Sequence, residues 1–282
     1  MRNKVLIPFF QKLPCAFLGK SRLARLFLER TSEEREIPTQ FGKITVPNLV
    51  EPVAWDLAVN GCYEPDLCQF IEQQVKAGQT CLDIGANIGA ISLALAKQVG
   101  HQGRVYAFEP SPRIFPYLKK NSLKHPQIKS LETALSSKKG TTVFYQAPEH
   151  KFGMGTLSAL EGWVPTEVKI DTLDGFCQAA GMGRVDFIKI DTEGHEVDVF
   201  RGGRETLSKN HQVIIVFEFS DWAEKNAYGK CGESPRLLAE MGFDLASLEK
   251  GGRLRALGTD LPITGTWNLV ACRGLSRRFL RP

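Results

Sequence analysis

The chain has 282 residues, 43% hydrophobic and 24% charged, a globular balance that excludes a disordered, collagen-like or coiled-coil protein. The net charge of +5 sits at the two ends: residues 1–30 carry seven Lys/Arg against Glu29, and the last ten carry Arg273, Arg277, Arg278 and Arg281 with no acid. The body between is net negative, which argues against a nucleic-acid enzyme, whose site usually lies on a basic face.

The apolar start, Val5 to Phe10, is broken by Pro8 and is too short for a good signal-peptide core. From Ser21 a helix is expected, with Leu23, Leu26 and Phe27 on one face and Arg22, Arg25 and Arg30 on the other. Such a basic amphipathic helix either docks on the protein's own core or gives residues 1–30 a peripheral contact with an anionic membrane. No run of 18 apolar residues is present, so a spanning helix is not expected. The seven cysteines, from Cys15 to Cys272, form no C-x-x-C pair, which fits a reducing, cytoplasmic setting.

Residues 31–60 read as mixed and strand-like in places, as at Lys43–Val46. A helix is expected over Pro65–Val75, with Leu67, Phe70, Ile71 and Val75 on one face. A regular alternation then begins. Strands are expected at Thr80–Ile84, Arg104–Phe108 and Ile128–Leu135. Helices are expected at Ile88–Val99 and from a Ser111 cap with Pro112 to Leu123. Residues 140–165 break the rhythm as an insert of extra strands and a loop. The alternation resumes with strands at Asp186–Ile190, Val213–Phe219, Phe243–Leu248 and Trp267–Cys272, and helices around 197–207 and 235–241. The pattern predicts an α/β fold, a mainly parallel sheet with helices on both faces. The expected division is a lead-in over 1–60, a main domain over 61–274 and a basic tail over 275–282.

The strongest motif is Cys81-Leu82-Asp83-Ile84-Gly85-Ala86-Asn87-Ile88-Gly89, a strand running into a glycine turn that opens a helix, where doubly wound sheets bind nucleotides. From Gly85 the dinucleotide spacing G-x-G-x-x-G meets Asn87 and Ala90, so that fingerprint fails. Asp83 before the turn would also oppose a pyrophosphate. A cationic ligand suits it better. S-adenosylmethionine carries a sulfonium and an ammonium and no phosphate. Asp83 is then expected to face its amino-acid end, and Gly85 and Gly89 to let the backbone approach it. Glu109, ending Val105-Tyr106-Ala107-Phe108-Glu109-Pro110, is expected to accept both ribose hydroxyls.

With these motifs the sequence resembles the FkbM family of S-adenosylmethionine-dependent methyltransferases. The resemblance rests on Leu82–Gly89, Phe108–Pro112, Thr172-Leu173-Asp174 and above all Ile188-Lys189-Ile190-Asp191-Thr192-Glu193-Gly194-His195-Glu196. It implies a seven-stranded methyltransferase sheet and O-methylation of hydroxyls on secondary metabolites and sugars. It implies cofactor roles for Asp83, Gly85, Asn87, Gly89 and Glu109, with Ala86 and Pro110 in the same motifs, and a site role for Asp191 and Glu193. Where many members carry an acid after the third strand, this chain has Ala134-Leu135-Ser136-Ser137. His195 fills a position the family leaves variable.

A hydroxyl acceptor must lose its proton, and His195, Glu193, Asp191 and Glu218 are the candidates for that base. His195 has the best unperturbed pKa; the alternative is an exposed histidine at a helix start. Asp191 positions cofactor or acceptor, or caps a helix. A divalent metal held by Asp191, Glu193 and His195 is possible but not favoured. The chain contains no Pro-Pro, unlike the Asn/Asp-Pro-Pro-aromatic tetrads of many nitrogen methyltransferases, which favours an oxygen acceptor. Two readings stand beside the small-molecule or glycan O-methyltransferase: a protein that binds S-adenosylmethionine without transfer, and a nicotinamide oxidoreductase.

Overall fold

A computed structural model describes residues 2–13, 19–148, 151–258, 264–275 and 279. Cys15, Arg277, Arg278 and Arg281, and with them most of the 275–282 tail, lie outside the described residues. Helices α1 (Arg2–Lys12) and α2 (Lys20–Phe27) come first. In α2 Lys20 and Ala24 are buried and Leu23 packs against the core, whereas Leu26 and Phe27 remain 72% and 43% exposed. The helix therefore docks by one edge, and much of its expected apolar face meets solvent.

A hairpin of β1 (Arg35–Thr39) and β2 (Gly42–Val46) leads to α3 (Pro52–Asn60), which the sequence reading had not expected. The Glu51 side chain caps it by accepting the Ala54 N–H, and Pro52 occupies its first turn. Helix α4 (Pro65–Gln74) follows as expected. Then come β3 (Thr80–Ile84), α5 (Ala90–Val99), β4 (Arg104–Phe108), α6 (Phe115–Ser122) and β5 (Ile128–Leu131). Ser111 does not cap α6. Its carbonyl accepts the Ile114 and Phe115 N–H groups, so residues 112–114 form a turn and the helix starts with Pro116 in its first turn.

The run expected as one strand to Leu135 is two. Strand β6 (Ala134–Leu135) leaves the main sheet and pairs with β9 (Val164–Asp171). With β7 (Gly140–Gln146) and β8 (Gly155–Thr156) these make a separate sheet in the order β6-β9-β7-β8. Beyond it lie α7 (Leu173–Ala179) and β10 (Phe187–Ile190). The helix expected around 197–207 is broken at Gly202-Gly203 into α8 (Glu196–Gly202) and α9 (Arg204–Lys209). The chain continues through β11 (Ile214–Ser220), α10 (Asp221–Tyr228), α11 (Glu233–Glu240), β12 (Asp244–Glu249), β13 (Arg253–Ala256) and β14 (Thr266–Cys272).

The main sheet has the order β13-β12-β14-β11-β10-β3-β4-β5, with the five strands from β11 to β5 parallel and β14 antiparallel. The expected seven strands thus gain an eighth. Edge strand β13 alternates Arg253 and Arg255 with Leu254 and Ala256, a charged pattern that suits a sheet edge.

Period-two alternation sorts each strand onto two cores. Cys81, Phe187 and Val216 pack on the face that carries α1, α3, α4 and α5, while Leu82, Ile188, Ile190 and Phe217 pack on the other face. Trp55, Leu57 and Ala58 of α3 belong to the same core as Ile91 and Leu95 of α5. Ile7, Phe10, Ala24, Ile37 and Ile44 belong to that core as well. The same alternation places Asp83 and Lys189 directly opposite each other on neighbouring strands, on the α5 side of the sheet.

Candidate functional site

At the carboxyl ends of β3, β4 and β10 lies a cavity of about 220 Å3. It is the crevice expected of a doubly wound sheet. The turn after β3 forms its floor. Gly85 has φ +78°, and a Cβ built there would stand 1.8 Å from the Asp191 carbonyl oxygen. Only glycine lets this turn lie so close against the end of β10. Asn87 has φ +51°; its backbone N–H donates to Glu109 Oε2 at 2.9 Å, and its side-chain amide to the Gly153 carbonyl at 2.9 Å.

Glu109 is only 6% exposed and lines the cavity. Its other oxygen accepts the Ser111 N–H at 2.9 Å, so two backbone donors fix the carboxylate and leave lone pairs facing the cavity. Burial pushes its pKa up to about 7 despite those two hydrogen bonds. Gly85, Ala86, Asn87, Pro110, Asp191, Glu193 and His195 also line the cavity. Phe108, Leu135 and Phe144 give it an apolar wall. From the loop after β5, Thr133, Ala134 and Leu135 reach the cavity, so no acid enters there.

Asp83, Gly89 and Glu218 do not line it. Asp83 is fully buried behind the turn: Oδ2 accepts the Ser92 hydroxyl at 2.5 Å and Oδ1 has no hydrogen-bond partner. The expectation that Asp83 faces the cofactor is corrected to a place beneath the turn, because strand alternation aims its side chain at α5. Glu218 lies one strand over, on β11 opposite Asn268. Burial, with Asp191, Glu193 and Glu64 nearby, pushes it up to about 9.

The motif after β10 folds into a tight turn. Glu196 is buried and its Oε1 accepts the Thr192 N–H and hydroxyl, each at 2.8 Å, closing the turn. Asp191 does not cap a helix, because α8 starts only at Glu196. Instead Asp191 Oδ2 takes a hydrogen bond from Lys189 Nζ at 3.1 Å. Lys189 is 4% exposed, and although burial opposes its charge, Asp191, Asp83 and Glu64 outweigh that and hold the ammonium well above the usual lysine range. Glu193 carries φ +52°; burial first, then Asp191 and Glu196, push its carboxyl up to about 8.

His195 is the N-cap residue of α8, and its side chain is only 12% exposed, so it is not a free surface histidine. Nε2 lies 3.0 Å from Ser158 Oγ, and Nδ1 faces Asp198 Oδ2 at 3.5 Å, an ion-pair distance rather than a formed hydrogen bond. Tyr228 donates its hydroxyl to the same Asp198 oxygen at 3.0 Å and packs edge-on to the imidazole. Burial raises the Asp198 pKa, but these His195 and Tyr228 contacts outweigh it and hold the carboxyl below its usual range. Among the described residues no group of three or more His, Cys, Asp or Glu side chains is placed to hold a metal ion.

Glu51, Tyr63, Lys189, Ser158 and Asp198 were missed as site residues. For Lys189 the sequence carried a signal, a lysine inside an otherwise apolar strand. Glu51 lines the cavity from the lead-in, Tyr63 from the loop between α3 and α4, and Ser158 arrives from the insert, contacts that no local pattern encodes.

Residues 83–245, more than half of the chain, match the Methyltransferase FkbM domain. The chain belongs to this family. It is an S-adenosylmethionine-dependent methyltransferase. Over 54% of its length, this FkbM-family chain is 29% identical to the 2-O-methyltransferase NoeI of Sinorhizobium fredii, covering 68% of that protein. It is 28% identical to the hexuronic acid methyltransferase AglP of Haloferax volcanii, again over 54% of the chain and over 61% of AglP. A crystal structure of a methyltransferase FkbM from Methylobacillus flagellatus aligns over 72% of the chain and 50% of its own length, at 13% identity and a TM-score of 0.43.

Proposed function

We propose that this methyltransferase acts on a hydroxyl of a sugar or glycan, with His195 as the base that receives the hydroxyl proton. The acceptor atom and class draw on relatives named as a 2-O-methyltransferase and a hexuronic acid methyltransferase. The observation that carries the cofactor reading is the lining of the cavity. Glu51, Glu109, Asp191 and a protonated Glu193 line it, and the one lysine of the lining, Lys189, is bonded to Asp191. Such a lining offers oxygen acceptors to an ammonium and to ribose hydroxyls, and no unpaired lysine or arginine to the pyrophosphate of a nicotinamide cofactor.

In this reading Glu109 holds the ribose hydroxyls, with Gly85, Ala86, Asn87 and Pro110 around them. Phe108, Leu135 and Phe144 enclose the adenine. Asp191 and Glu193 face the amino-acid end. Asp83 and Gly89 support the turn from outside the cavity. The cofactor supplies an activated methyl carbon, so alignment of the acceptor oxygen carries much of the rate.

Glu193 and Glu218 hold their protons at neutral pH, which removes them as bases there. His195 lines the cavity, and Asp198 stands where it stabilises the imidazolium. Incubation with labelled S-adenosylmethionine and a panel of pyranosides tests the assignment by methyl incorporation. His195→Ala should slow turnover about 10²–10⁴-fold and leave cofactor affinity nearly intact. A normal rate and pH profile in that variant would remove His195 as the base.

We also propose a peripheral membrane contact through residues 1–30, supported by exposed Leu26 and Phe27 on the same helix as exposed Arg22 and Arg25, and by exposed Phe9 on α1. Among the described residues no helix is long and apolar enough to cross a membrane.

A further inference from the structure

A second cavity, of about 140 Å3, adjoins the first; Met154 and Glu193 line both. A molecule bound in it therefore borders whatever occupies the first cavity, across Met154 and Glu193. Its walls include two tryptophans of separate origin, Trp163 from the insert and Trp222 from the first turn of α10. Trp222 is 59% exposed, a large apolar surface left uncovered beside a cavity. Ser158, Asn226 and Glu193 add a hydroxyl, an amide and a carboxyl to the same lining.

We propose that this cavity is the acceptor subsite and that it takes a pyranose ring, with one C–H face on Trp222 and its hydroxyls toward Glu193, Ser158 and Asn226. The inference rests on the reading of the chain as a methyltransferase acting on hydroxyls. A pyranose presents an apolar face and a rim of groups that each donate and accept. The cavity presents the matching pair, flat indole and mixed donors and acceptors. A flat aromatic alcohol would fill the indole walls but leave Glu193 and Ser158 facing carbon, a mismatch that sites of this kind reject strongly.

Ser158 connects the two cavities chemically. It lines the second, while its Oγ lies 3.0 Å from Nε2 of His195, which lines the first. A ring hydroxyl that donates to Ser158 is thus one further hydrogen bond from the imidazole. As the acceptor oxygen forms its bond to the methyl carbon, the carbon–sulfur bond breaks and its electron pair stays on sulfur. The hydroxyl proton passes to Ser158 Oγ while the proton of Ser158 passes to His195 Nε2.

The test is titration of the full-length protein, loaded with S-adenosylhomocysteine, with methyl glycosides of glucose, galactose, mannose, fucose, rhamnose and glucuronic acid, with 2-naphthol as the flat counter-probe. At least one pyranoside should bind at millimolar concentration and 2-naphthol more weakly. Trp222→Ala should weaken that pyranoside by about tenfold, and Trp222→Phe should restore most of the loss. Affinity for S-adenosylhomocysteine should stay within about twofold, since the cofactor cavity is not lined by Trp222. Absence of pyranoside binding, preference for 2-naphthol, or pyranoside binding indifferent to Trp222→Ala would each overturn the proposal. Failure to bind S-adenosylhomocysteine would instead strike the cofactor assignment and leave the pyranoside result to be read from the unloaded protein.

Discussion

Replacing Lys189 by methionine tests the electrostatic plan of the site. The side chain is buried on β10, opposite Asp83 on β3, and bonded to Asp191 and to the Gly85 carbonyl. Methionine keeps most of the volume and removes the charge, so the carboxylates of Asp83, Asp191 and Glu64 lose the cation that offsets them. Breaking a buried ion pair from one side costs about 3–5 kcal/mol. For a chain of this size that is a fall in melting temperature of roughly 6–20 °C. The sign with pH is fixed as well. Without Lys189 the facing acids have raised native pKa values, so the variant regains stability as falling pH protonates them. Differential scanning calorimetry at about pH 5.5 and about pH 8 should show a deficit that shrinks on acidification. A melting temperature within about 1 °C of wild type at both values would refute the account.

Glu109→Gln should weaken S-adenosylmethionine by about 1–3 kcal/mol in calorimetry, the worth of charged hydrogen bonds to the ribose; unchanged affinity would remove Glu109 from the cofactor site. Gly85→Ala should cost more than about 1 kcal/mol of stability and abolish cofactor binding, because its Cβ collides with the Asp191 carbonyl at positive φ. Glu109, Glu193 and Glu218 keep protons in the fold up to about 7, 8 and 9 whereas their ordinary value is 4.5, so the cofactor-free protein should lose stability as pH rises across that window. A melting temperature higher at about pH 8.5 than at about pH 6 would contradict this. Leu26→Asp with Phe27→Asp should reduce co-sedimentation with phosphatidylserine vesicles at low salt, and equal pelleting would end the membrane proposal.

Much of the fold was legible because buried parallel strands are short apolar runs bounded by turns. Thr80–Ile84, Arg104–Phe108 and the strand ending at Ile190 fall where the pattern put them. Helix α3 was overlooked although its signals were present, a capping Glu51, Pro52 after it and Gly61 behind it. The mixed hydrophobicity of its flanks hid them. The split between β5 and β6 was not legible, since Ala134 and Leu135 read as a continuation and only their partner, β9, makes them a different sheet. In the site, the motif residues Glu109, Asp191, Glu193 and His195 do converge. The aim of Asp83 could not be read from its place beside the glycine turn, though strand alternation fixes it once the neighbouring strand is known. Ser158 and Asp198 flank His195 through tertiary contacts only.

Ala147 and residues 151–155 are tied to the cofactor turn through Asn87 and to the 112–114 turn through Arg113. Asn87 holds the Gly153 carbonyl, and Arg113 bonds the Ala147 and Phe152 carbonyls while its guanidinium lies over the Phe152 ring at 4.5 Å. A Cβ on Gly153 would stand 2.3 Å from Glu51 Oε1, so the approach leaves no slack. That same segment supplies Met154, which borders both cavities. Whatever settles the Asn87 turn therefore also settles Met154, the wall that the cofactor cavity shares with the proposed acceptor subsite. Kinetically, this favours an ordered sequence in which S-adenosylmethionine binds before the acceptor. Thermodynamically it demands reciprocity: the factor by which cofactor strengthens acceptor binding is the factor by which acceptor strengthens cofactor binding.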